Sequence, residues 1–111
     1  MKKQEIKEDF IMSKKIEKDT NTYIVSGPAG TYLGQIVNRK GDVVEMENAQ
    51  LLYYWSGANS LNQLAREGTK DSNSCKFSVE CDVTCYGVLR VIKCTQEAVA
   101  SLRGVAIWRK N

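Results

Sequence analysis

The sequence contains no histidine. That removes the commonest general base near neutral pH and the commonest metal ligand. Ser-His-Asp, Cys-His and histidine-based zinc mechanisms go with it. No run of apolar residues approaches the roughly 20 that span a bilayer, and the charged N-terminus lacks the apolar stretch of a secretory signal. An excess of one charge is also missing: 16 Lys and Arg against 13 Asp and Glu leave a net charge of +3. Proteins that track a phosphate backbone usually show a concentrated basic stripe, and none is visible. These absences argue against a membrane protein and against a binder of long nucleic acid. A small anionic ligand needs only two or three cations, and the composition permits that.

Four cysteines, Cys75, Cys81, Cys85 and Cys94, then read as thiols of a reducing cytosol. A four-cysteine zinc site pairs its ligands at short spacing on turns. Cys81 and Cys85 have a related spacing but fall on one strand, so buried reduced thiols are the better account. The sequence predicts neither a metal nor a cofactor. The acidic residues are scattered and identify no catalytic carboxylate pair, so no enzyme is expected. Gly27-Pro28-Ala29-Gly30 followed by Gly34 leads into a strand rather than a helix, which fits an ordinary turn better than a phosphate loop.

A length of 111 residues with 42% hydrophobic and 26% charged content fits one globular domain. A domain of this size buries a limited share of its surface, so a homo-oligomer is expected. Residues 1–20 form a tail of mixed charge, leaving 21–109 as the domain. Lys7-Glu8-Asp9 can be encoded by a purine-rich bacterial ribosome-binding sequence just upstream of Met12. The expectation is that Met12 starts the native protein and that residues 1–11 are a translated leader.

Along the domain, Tyr23 to Val25 reads as a strand closed by the Gly27–Gly30 turn. Tyr32 to Val37 and Val43 to Met46 pair across a hairpin at Gly41. Asn48-Ala49 marks a bend before a further strand, Leu51 to Trp55. Ser60 and Gln63 form a capping box for a short helix that Gly68 ends. Phe77, Val79, Cys81, Val83 and Cys85 alternate with polar residues, which predicts one half-buried strand with a dry and a wet face. Val88 to Cys94 returns as a strand, Thr95 caps a final helix to Arg103, and Val105 to Trp108 is an extended tail. The expected fold is α+β: a mainly antiparallel sheet of five or six short strands with two short helices.

Candidate binding residues concentrate between Tyr53 and Lys76. Aromatic faces stack on bases and Arg or Lys pairs with phosphate, so Tyr54, Trp55, Asn59, Arg66, Lys70 and Lys76 make the composition of a nucleotide-sized pocket. Aromatics on a strand also serve core packing or an oligomer interface, and both readings stand. Arg103, Trp108 and Arg109 are further candidates from the C-terminal end.

The chain resembles a family of small accessory proteins encoded by tailed bacteriophages. The match is carried by Ala29-Gly30-x-x-x-Gly34, Tyr54-Trp55-x-Gly57-Ala58, Ser60-Leu61-x-x-Leu64-Ala65-x-x-Gly68-Thr69, Cys75-Lys76-Phe77, Ile92-x-Cys94-Thr95 and Val105-x-x-Trp108. Gln50 and Leu51 stand where the resembling proteins tend to be basic, and Arg90 where they tend to be acidic. The resemblance implies a protein of the host cytoplasm that counteracts host defence. One mode would be to sequester a small nucleotide-derived immune signal without turnover. Another would be to inhibit a defence complex by direct protein contact, as anti-CRISPR factors do. A structural homo-oligomer of the phage is the third.

Overall fold

The computed structural model describes residues 19–110. The charged tail before residue 19, with the expected leader and Met12 start, lies outside the described residues. β-Branched and aromatic residues build three long strands, β1 (Tyr23–Gly27), β2 (Gly30–Lys40) and β3 (Val43–Tyr54). The helix α1 (Leu61–Glu67) follows, then the short strands β4 (Lys76–Phe77), β5 (Cys81–Cys85) and β6 (Arg90–Lys93), and finally α2 (Gln96–Arg103). The six antiparallel strands form one sheet in the order β4–β3–β2–β1–β6. β5 also pairs with β3, along Val44 to Ala49, while β4 takes the same strand further on at Leu52 and Tyr54. Six antiparallel strands with two helices are the α+β architecture that the sequence predicts. Among the described residues, no helix is long and apolar enough to cross a membrane.

Two apolar layers flank the sheet. On the helix side, Ile24, Leu33, Leu52 and Phe77 meet Leu64, Ala65, Ala98, Leu102 and Val105. On the other side, Val25, Val44, Met46, Ala49, Cys85 and Val88 form a smaller cluster that the curled sheet makes from its own residues. β3 serves both layers because a bulge lies inside it. Asn48 adopts φ 53°, the pairing register shifts between Met46 and Ala49, and its amide donates to Gln35 Oε1 at 2.9 Å. Asn tolerates this left-handed conformation better than most residues. The bend expected at Asn48-Ala49 is thus a bulge in one continuous strand, which re-aims Gln50 and Leu52 toward the helix side.

The single alternating strand expected from Phe77 to Cys85 is in fact two. Ser78 breaks it: its Oγ accepts from the Leu51 N–H at 2.8 Å, and its own N–H donates to the Leu51 carbonyl at 3.0 Å. Phe77 then points into the helix-side core and Cys85 into the opposite layer, while Val79 and Cys81 between them are exposed. Alternation detects a face without saying which of two cores that face meets.

The helices are tied end to end. Ser60 Oγ accepts from the Gln63 N–H at 3.2 Å, and Gln63 Oε1 accepts in return from the Asn59 N–H at 2.8 Å. Thr95 caps α2 by accepting from the Ala98 N–H, and the same hydroxyl donates to the Arg66 carbonyl at 2.7 Å. Its N–H donates to the Ala65 carbonyl. The start of α2 is thereby fastened to the last turn of α1. Beyond α2, Ile107 bridges Phe77 in parallel, and the Trp108 N–H donates to the Phe77 carbonyl at 2.9 Å.

Candidate functional site

The joint between α1, β6 and α2 forms a shallow groove of about 520 Å³. Ile92 supplies apolar surface over the buried Ala65, and Arg66, Arg90 and Lys93 supply three cations. Asn62 and Thr95 complete the lining, which includes no carboxylate. Among the described residues, the side chains of Arg66, Arg90 and Asn62 make no hydrogen bond or ion pair. The Thr95 hydroxyl is spent on its cap and on the Arg66 carbonyl. Lys93 lies within electrostatic reach of Asp19. That carboxyl is held below its usual range chiefly by the Asn21 N–H, then by the Tyr23 hydroxyl, with Lys93 contributing less. Unpaired guanidinium groups over an apolar floor suit a small organic anion, because Arg takes phosphate or carboxylate oxygens two at a time.

Of the six residues singled out in the sequence, Arg66 lines this groove. Tyr54 and Lys76 face each other in the β3–β4 register, both exposed, at another end of the sheet. Trp55 is half-buried against the helix-side core. Asn59 is engaged in the capping box, and the Lys70 ammonium is 3.7 Å from the Glu67 carboxylate. The segment between them is a structural knot. Thr69 Oγ1 donates to the Ser56 carbonyl at 2.6 Å, and the Lys70 N–H donates to the Gly57 carbonyl. Gly57 sits at φ 84°, and a Cβ there would lie 2.6 Å from the backbone nitrogens of Lys70 and Asp71. The structure therefore spreads the six residues over separate places.

Arg90 and Lys93 were missed because no local pattern joins them to Arg66. One signal was available: residues 83–96 contain no Asp or Glu. Arg66 and Arg90 form no ion pair among the described residues, whereas Lys93 lies within electrostatic reach of Asp19.

A second aromatic and cationic surface lies at the β3–β4 end. Tyr53 and Trp108 stack with ring centroids 4.9 Å apart and an interplanar angle of 21°. The Lys76 ammonium lies over the indole, 5.4 Å from its centroid. Arg103, a candidate ligand contact from sequence, is instead committed to the fold. It donates to Gln50 Oε1 at 2.6 Å and to the Asn48 carbonyl at 2.8 Å, and pairs with Glu80 at 3.4 Å.

Elsewhere, Glu45, Glu47 and Asp82 line one shallow groove. Among the described residues no group of His, Cys, Asp or Glu is placed to hold a metal. The four thiols are free: Cys75, Cys85 and Cys94 are buried and Cys81 is exposed. Burial pushes the Cys85 thiol up, and it pushes Cys94 from 9.0 to about 11 despite the opposing charge of Arg103. Thiolate is the reactive form. Native protein treated with a disulfide reagent at neutral pH should release a fast signal from Cys81 alone, the other three reacting on unfolding. A fast phase that survives Cys81→Ser would contradict this.

Residues 20–102 match the family model described as Domain of unknown function (DUF6948). The chain belongs to that family. No curated protein and no solved structure matches it. The matched DUF6948 segment contains Arg66, Arg90 and Lys93, and it ends before Trp108.

Proposed function

We propose that this domain binds a small nucleotide-derived immune signal and sequesters it without turnover, as a phage accessory protein of the host cytoplasm that works as a homo-oligomer. The observation that supports the reading is the groove in which Arg66, Arg90 and Lys93 converge over Ile92 with no carboxylate in the lining. Guanidinium pairs would take phosphate oxygens, and the partly buried Ile92 would take a sugar or base edge. Binding of this kind lowers the free signal by mass action. A second copy would cover exposed apolar residues such as Leu89, which is 83% accessible.

Thermal denaturation in the presence of cyclic dinucleotides and cyclic ADP-ribose isomers tests the reading. At a hundredfold excess over Kd a true ligand adds about 2.7 kcal/mol of stability, which for a domain of this size raises Tm by roughly 10–20 °C. Arg66→Ser combined with Arg90→Ser should abolish the shift while leaving the unliganded Tm nearly unchanged. The ligand should be recovered intact after denaturation. No shift across the whole panel would sink the proposal.

A further inference from the structure

The segment after Ile107 and the break in the edge strand enclose a groove of about 580 Å³, lined by Ser78, Val79, Trp108, Arg109 and Lys110. Its surface is almost wholly apolar. Val79 and Trp108 provide part of that, and the aliphatic stems of Arg109 and Lys110 can provide more while their charged ends stay in water. With Lys76 over the indole, three cations rim the groove and no carboxylate lines it. Glu80, next to Val79 in the sequence, is paired with Arg103. Trp108 is held in place by the Tyr53 stack and by its N–H bond to Phe77, yet remains 47% exposed. Among the described residues, the backbone N–H groups of Val79 and Arg109 donate to no other group.

We propose that this groove is a docking site for an extended acidic segment of a partner protein, anchored by one bulky apolar side chain against Val79 and Trp108. Charge complementarity chooses the occupant. Carboxylates of such a segment would meet Lys76, Arg109 and Lys110, and its carbonyls would accept from the free N–H groups of Val79 and Arg109, as in strand addition. A second copy docking by the same surface would set these cations against their own equivalents. A stacked nucleobase fits less well, because Tyr53 and Lys76 already occupy the indole ring and the remaining wall is aliphatic. The site is separate from the Arg66 groove, so either can fail without the other.

Panning a library of displayed random peptides against the full chain tests this. Enriched peptides should carry one Leu, Phe or Trp flanked by Asp and Glu. In fluorescence polarisation with a labelled consensus peptide, Trp108→Ser should weaken binding at least about tenfold, as loss of an interface anchor does. Arg109→Glu with Lys110→Glu should abolish it, and Arg66→Ser should leave it unchanged. Both tail positions are exposed, so these variants keep the fold. Absence of a consensus, a basic consensus, equal binding by Trp108→Ser, or a Trp108-dependent dimer of the free chain in sedimentation would each overturn the proposal. So would binding of a single-stranded oligonucleotide in place of the peptide.

Discussion

Phe77→Ala should remove a large share of the stability of this domain. Phe77 is fully buried in the helix-side core, opposite Leu52 in the sheet and within one apolar cluster with Leu64, Ala98 and Leu102. It is also the buried half of a two-residue strand whose other residue, Lys76, is exposed. Truncating a buried phenylalanine costs about 3–5 kcal/mol, the sum of lost transfer energy and an unfilled cavity. Domains of this size have only about 5–15 kcal/mol to lose. The expected fall in Tm is roughly 15 °C or more, measured by far-ultraviolet circular dichroism. Phe77→Leu should cost less than half as much, because much of the volume returns. A loss below about 1 kcal/mol for the alanine variant, outside the range for core phenylalanines, would mean that the layer between sheet and helices is not the principal core. The substitution should also loosen the tail, since the Phe77 backbone carries both the Ile107 bridge and the Trp108 hydrogen bond.

Signals that are local in the chain were legible. The capping box at Ser60 and Gln63, the Thr95 cap and the Gly41 hairpin each place backbone donors or turn geometry within four residues, and each stands in the structure as the sequence predicts. Features set by long-range partners were not legible. The continuity of β3 through Asn48 depends on strands on both of its sides, and a side chain from β2 meets Asn48. The break at Ser78 depends on Leu51, 27 residues earlier. The basic groove joins the end of α1 to the sheet edge at β6, which the sheet order alone brings together. Tyr53 to Lys76 looked like a pocket because its aromatics and cations are dense in sequence. In space, Trp55 turns toward the core and Lys76 toward Trp108, and the Ser56–Asp71 crossing consumes the polar groups between them.

Arg103→Met should destabilise the protein while leaving the Arg66 groove unaltered. Gln50 is a side-chain amide only 2% exposed, and it lies between two partners: its nitrogen donates to the Ser78 carbonyl at 3.0 Å and its oxygen accepts from Arg103. Arg103 also satisfies the Asn48 carbonyl, the one exposed at the bulge. Burial lowers the pKa of the guanidinium, and the Glu80 carboxylate opposes that shift. Methionine retains the aliphatic stem, so the expected loss comes from polar groups left without partners. An orphaned buried acceptor costs about 1–3 kcal/mol. The Glu80 pair, whose carboxylate is half-exposed, adds at most about 1 kcal/mol. A total near 3 kcal/mol is expected in urea denaturation, with the slope unchanged. Glu80→Gln alone should cost a small fraction of that. Gln50→Met in the Arg103→Met background should recover little of the loss, because it removes the unmet Gln50 oxygen but strips the Ser78 carbonyl of its donor. If Arg103→Met matches the parent within about 0.5 kcal/mol, the range of neutral surface substitutions, then solvent replaces the guanidinium at Gln50. The bulge would then stand without the Arg103 tie.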